Sequence, residues 1–139
     1  MTQVFRLDML VRDYELDQYG VVNNAVYLNY LEHARHEFLH GVGIDPAAVA
    51  RSGSALALSE IHVRYRSSLR SRERFAVEIT IGEVRGARLA IHQRIVATDD
   101  GRTVLEAQAV AVFLDANGRP RRVAPEHRAA FAPYLTPQA

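Results

Sequence analysis

The chain has no cysteine, no tryptophan and no lysine among its 139 residues; all 17 basic residues are arginine. Without cysteine there is no thiolate nucleophile, no disulfide and no cysteine-ligated zinc or iron–sulfur site. Without lysine there is no Schiff base and no phosphate-binding P-loop lysine. Any catalysis has to come from Asp, Glu, His, Ser, Thr, Tyr, Asn or Arg. Charge of one sign is also lacking: 17 basic against 16 acidic residues leaves a net charge of +1. That balance excludes the basic excess of a general nucleic-acid binder. No apolar run approaches the roughly 20 residues that span a bilayer, and the start, Met1 to Arg6, lacks the form of a signal peptide. The expectation is a cytoplasmic protein with no nucleic-acid or membrane partner.

What is present is enough apolar material for a core, 48% of residues, with an ordinary charged fraction of 24%. The length suits a single domain over residues 1–139, domains being about 100–150 residues in most cases. Phe5, Leu7, Met9 and Val11 alternate with Arg6, Asp8, Leu10 and Arg12, the two-residue period of a strand with one buried face. An irregular segment from Asp13 to Val22 follows and reads as a structured loop. Asn23 or Asn24 can cap a helix from Ala25 to about Gly41, with Tyr27, Leu31, Ala34 and Phe38 on one stripe. Leu28, Leu39 and Val42 widen that stripe. Asp45-Pro46 is the cap and first residue of a short second helix through Arg51.

Beyond Ser52-Gly53-Ser54 the period is two throughout. Strands are expected from Leu56 to Tyr65, around Phe75 to Ile81, around Leu89 to Ile95, and from Val104 to Leu114, the last apolar enough to be central. Arg85-Gly86-Ala87, Asp99-Asp100-Gly101 and Asn117-Gly118 are turns. Pro125 to Tyr134 can form a short terminal helix. Short connections predict that the last strands are antiparallel neighbours. The fold class is α+β: one long helix layered on an antiparallel sheet of about five strands. Such a layer leaves a sheet edge uncovered, which predicts a homodimer at least.

The densest polar cluster lies between the first strand and the long helix: Asp13, Glu15, Asp17, Asn23 and Asn24 with Tyr14, Tyr19 and Tyr27. A helix start presents N–H groups without internal partners at the positive end of the dipole. They can hold a developing oxyanion while a neighbouring carboxylate attacks a carbonyl or activates water. The same residues also suit plain loop capping.

The run from Asp13 to Tyr30 resembles the signature of hot-dog-fold thioesterases of the 4-hydroxybenzoyl-CoA type. Its Asp-x-x-Gly-hydrophobic-hydrophobic pattern falls on Asp17, Gly20, Val21 and Val22, with a tyrosine, Tyr27, ten residues after the aspartate. Asn23-Asn24, followed by His36-Glu37-Phe38-Leu39 and Ala57-Leu58-Ser59-Glu60, is most similar to the short acyl-carrier-protein thioesterases of plant plastids and their bacterial relatives. Less closely it resembles thioesterases of enediyne polyketide pathways, which share the Tyr27 and Arg35 positions. The resemblance implies a hot-dog fold over nearly the whole chain, with the long helix wrapped by the sheet. It implies hydrolysis of an acyl thioester carried on acyl carrier protein or CoA, without a cofactor. Asp17 would be nucleophile or general base, and backbone N–H groups near Asn24 would polarise the carbonyl. Gly20, Val22, Asn23 and Tyr27 would lie against the substrate, with Gly20 letting the chain pass close to it. A homodimer or homotetramer would complete the site. A fatty, β-keto or polyketide acyl chain fits the motif variant better than a benzoyl or dihydroxynaphthoyl group.

Other residues have competing readings. Glu60 is a reserve base or water-orienting group, or else a strand acid paired with an arginine such as Arg64. Arg35 lies about 16 Å along the helix from Asn24 at 1.5 Å per residue, so it lines the acyl channel, binds a carboxylate or pairs with Glu32. Arg85 and Arg88 sit in a strand turn where related enzymes meet CoA phosphates or an acidic carrier, and otherwise are ordinary surface arginines. His33, His36 and His40 lack a third partner, so no metal is expected. Ser59 has no accompanying triad pattern. A hot-dog dehydratase would need a histidine near the helix start, and none is there. The rival outside enzymology is a non-catalytic acyl-binding accessory protein.

Overall fold

In the computed structural model, which describes residues 1–137, every expected element forms. The opening alternation becomes strand β1 (Phe5–Leu10). Asp13–Glu15 adds a single 3-10 turn, and helix α1 runs over Asn24–Gly41. Its cap is Asn23, whose side-chain oxygen accepts the Ala25 N–H at 2.9 Å, satisfying a donor with no helical partner. Helix α2 (Pro46–Arg51) starts in the same way, with Asp45 accepting from Ala47 N–H at 3.0 Å. Strands β2 (Ala55–Tyr65), β3 (Arg74–Arg85), β4 (Arg88–Ala97) and β5 (Thr103–Leu114) follow. Helix α3 (Pro125–Phe131) and a 3-10 turn at Ala132–Tyr134 close the described chain.

The sheet order is β1-β3-β4-β5-β2, and every pairing is antiparallel. Two expectations need correction here. β2 does not lie beside β3; it crosses to the far edge and pairs with β5. The connection through residues 66–73 is long enough to leave the sheet edge and return, so adjacency in sequence does not enforce a hairpin. The central strand is β4, and β5 is one place off centre between β4 and β2. β5 is nonetheless hydrogen-bonded on both sides, which accounts for its apolar character.

α1 lies across one face of this sheet and buries Tyr27, Tyr30, Leu31, Ala34, Phe38 and Leu39. The sheet answers with Phe75, Val77, Ile79 and Ile81 of β3, Leu89, Ile91 and Ile95 of β4, and Ala107, Ala109 and Ala111 of β5. Full burial of each large apolar side chain contributes about 1.5–3 kcal/mol. Aromatic edges fix the seating: Tyr30 lies 4.6 Å from Phe75, and Phe38 meets Phe5 at 5.5 Å and Tyr134 at 5.0 Å between ring centres. Leu28 does not belong to the buried stripe. It is 40% exposed. Among the described residues two polar side chains are buried, Glu15 and Gln93, and the second lies on β4. Its amide donates to the Leu31 carbonyl at 3.0 Å and accepts from the Arg35 guanidinium at 2.9 Å.

Candidate active site

The loop between β1 and α1 is tied down along its length. Leu16 bridges to Val22, Val21 bridges to Arg70, and Val22 N–H donates to the Leu69 carbonyl at 2.9 Å. Within it, Asp17 makes a closed turn. Its N–H donates to Val21 O at 2.8 Å, its carbonyl accepts from Gly20 N–H at 3.1 Å, and Oδ1 accepts from Tyr19 N–H at 2.8 Å. One carboxylate oxygen is therefore held by the backbone, while Oδ2 accepts no hydrogen bond among the described residues. Gly20 sits in the middle of this turn with φ +75°, a conformation that costs any residue with a Cβ. Nothing lies within 4 Å of where a Cβ would be. Backbone shape rather than close approach accounts for this glycine within the chain.

A hollow of about 370 Å³ opens beside the turn, lined by Asp17, Val21, Val22, Asn24, Tyr27, Tyr65, Arg66, Ser67 and Ser68. Asn24 is the first residue of α1, so its N–H has no partner inside the helix. Four expected residues, Asp17, Val22, Asn24 and Tyr27, thus share one site. Tyr27 is 3% exposed, and its hydroxyl oxygen accepts the Leu69 N–H at 3.0 Å. Burial pushes its phenol pKa up, keeping it neutral. Asn23 faces the helix instead, its side chain committed to the cap.

The opposite wall comes from the end of β2 and the connection after it, which sequence reasoning missed. Tyr65 hydroxyl donates to Asn24 O at 3.0 Å, and its ring meets Tyr27 edge-on at 5.7 Å. Ser67 hydroxyl donates to Thr103 O at 2.9 Å, and Ser68 O accepts from Arg102 at 2.7 Å. A polar Tyr-Arg-Ser-Ser run after a strand looks like any turn, so no local signal marks it.

The remaining expected residues lie elsewhere. Glu60 is on the opposite face of the sheet, at a β-bulge and beside a separate hollow of about 710 Å³. Its ion-pair partner is Arg88 at 3.5 Å, not Arg64. Arg64 is four residues along the same strand, about 13 Å away at 3.3 Å per residue. Arg88 instead reaches across β5, since Glu60 is opposite Val110 and Arg88 opposite Val112. Both groups are well exposed. Arg85 and Arg88 flank the β3–β4 turn and share a hollow with Glu83. Arg35 does not pair with Glu32. It lies on the inward side of α1, where it meets the Gln93 amide, and burial lowers its pKa. His33, His36 and His40 are exposed, and no group of three or more potential ligands gathers among the described residues.

Known proteins resemble this chain in sequence and fold. The family model described as the thioesterase-like superfamily matches residues 11–132. The chloroplastic acyl-acyl carrier protein thioesterase ATL3 of Arabidopsis thaliana is 44% identical over 135 residues, covering 97% of this chain and 71% of that protein. The acyl-CoA thioester hydrolase YbgC of Escherichia coli is 30% identical over 115 residues, covering 82% of this chain and 84% of its own. Among solved structures, the dynemicin thioesterase superposes with a TM-score of 0.88 at 20% identity, covering 98% of this chain and all of that one. At that identity the last match speaks for the fold.

Proposed function

The chain belongs to the thioesterase-like superfamily, whose hot-dog fold it has, and we propose from that premise that its 370 Å³ hollow hydrolyses an acyl thioester held on acyl carrier protein or CoA. The enzyme class, a thioester hydrolase, follows from the relatives; the site assignment is our reading. The observation that carries it is the shared hollow, which is lined both by Asp17 and by Asn24, the first residue of α1.

In this reading the thioester oxygen meets the Asn24 N–H. The donor is fixed before the reaction begins and strengthens as the oxygen gains charge. Asp17 then acts in one of two ways. As nucleophile, its carboxylate adds to the carbonyl carbon, the thiolate departs, and water opens the resulting anhydride. As general base, it takes a proton from water while that water attacks, and the proton passes to the departing thiolate. Val22 and Tyr27 support the acyl end, with Tyr65 opposite them.

The acyl chain is fatty, β-keto or polyketide in type, and the 44% identity to a plant acyl-acyl carrier protein thioesterase supports an acyl thioester on such a carrier. The enzyme works in the cytoplasm as a homodimer or homotetramer. Support for assembly comes from β2, an 11-residue strand paired only with β5, with Leu58 and Tyr65 48% and 49% exposed. Such an edge invites pairing. Arg85 and Arg88 meet the phosphates of CoA or the acidic surface of the carrier.

The test is thiol release from a panel of acyl chains on both carriers, with wild type and Asp17→Ala. The variant is expected to lose at least 100-fold in kcat/KM, the lower end of what a positioned acid or base supplies. Unchanged turnover in Asp17→Ala would remove the role given to that carboxylate.

A further inference from the structure

We propose that Glu15 is a positioning residue for this site: its buried carboxylate pins the loop from which Asp17 and the α1 start both hang. The inference rests on the thioesterase reading above. Glu15 is 7% exposed, the one buried acid among the described residues. Its Oε1 accepts from the Tyr30 hydroxyl at 2.8 Å and from the Arg12 N–H at 2.8 Å. Its Oε2 lies 3.3 Å from the Arg12 guanidinium. Three donors from two residues, Tyr30 and Arg12, therefore converge on one carboxylate.

Tyr30 is the fixed end of this contact. It is 2% exposed, with its ring against Phe75 at 4.6 Å and edge-on to Tyr27 at 6.0 Å. Burial first, and the bond to Glu15 second, push its phenol pKa upward, so it remains a donor. From Glu15 the chain leads both ways into the site. Asp17 is two residues on, inside the turn that the Leu16–Val22 bridge closes. The Glu15 carbonyl accepts the Asn23 N–H at 3.0 Å, which holds the cap residue just ahead of Asn24. The carboxylate and the helix-start N–H are thus referred to a single residue.

Stability alone does not explain the choice of glutamate. Burying a carboxylate is costly even when it is well bonded, and an apolar residue of similar size often holds a fold as well. What the apolar residue lacks is directional attachment. A displacement of about 1 Å in a catalytic group can cost on the order of 100-fold in rate, so attachment is where glutamate differs.

The experiment compares kcat, KM and thermal melting for wild type, Glu15→Leu, Glu15→Gln and Tyr30→Phe, assayed where each is folded by circular dichroism. Glu15→Leu is expected to lose kcat by about 10- to 100-fold with KM within twofold of wild type. Glu15→Gln keeps an acceptor oxygen and is expected to retain more of the rate. Tyr30→Phe, which removes one hydroxyl from the core, is expected to lose kcat by at least about threefold, even if Glu15→Leu does not fold. Folded variants with wild-type kcat, or losses confined to melting temperature, overturn the proposal and leave the thioesterase reading intact. Wild type that releases no thiol from any carrier overturns both.

Discussion

Arg102 donates from one nitrogen to both carboxylate oxygens of Glu73 at 3.0 Å. The same guanidinium reaches Ser68 O at 2.7 Å and Asp100 Oδ2 at 3.0 Å. The turn between β4 and β5 is thereby fastened to the connection that walls the candidate active-site hollow. Leu69 is the one apolar residue of that connection, and the polar clasp adds to the bonds that Leu69 makes with Val22 and Tyr27.

The clasp predicts an acid dependence. The Arg102 hydrogen bond holds the Glu73 pKa below its ordinary value of 4.5. A carboxylate that is more acidic folded than unfolded contributes stability fully above its unfolded pKa and loses it as pH falls. Urea unfolding followed from pH 6 down to about 3 should therefore lose about 1 kcal/mol more in wild type than in Glu73→Gln. Equal slopes for the two proteins would sink this account of the clasp.

Gly20 gives a second prediction. Space for a methyl group is present, but the backbone is left-handed at φ +75°. Gly20→Ala should cost about 1–2 kcal/mol in unfolding free energy without any steric clash. Because the strain falls in the Asp17 turn, kcat should drop as well. A variant as stable as wild type would mean that the turn relaxes.

Arg85 and Arg88 give a third. If they meet the carrier, Arg85→Ala and Arg88→Ala should each raise KM by about fivefold, equivalent to ~1 kcal/mol, with kcat unchanged. The effect should shrink as salt is raised, since exposed charges are screened. Arg88 already faces Glu60 at 3.5 Å, so Arg85 should show the larger change. Identical KM values at low salt would return both to the ordinary surface.

The parts readable in the sequence are those whose causes are local. Asn23, Asp45 and Pro46 mark helix starts because the capping chemistry involves residues two positions apart. Asp17, Val22, Asn24 and Tyr27 could be named together because one loop and one helical turn contain them all. β2 was legible as a strand but not in its place, since pairing with β5 is decided some 50 residues away by which edge remains open. The same crossing brings Tyr65 to Asn24, 41 positions apart, so half of the hollow had no sequence signature. Arg35 and Glu60 are legible as charged residues, and an arginine partner is legible for Glu60, but which residues hold them is not, for a related reason. Near neighbours in sequence were on offer, and the fold supplied Gln93 and Arg88 instead.

The Gln93 amide has a further consequence for the helix above it. Apolar packing alone lets a helix slide or roll by small amounts at little cost, because one methyl group substitutes for another. Gln93 engages the Leu31 carbonyl and the Arg35 guanidinium at once, and neither bond survives a shift of one residue. The amide acts as a registration pin set at the middle of α1. The start of the helix, and with it the separation between the Asn24 N–H and the Asp17 carboxylate, is indexed to the centre of the sheet rather than to the loop alone.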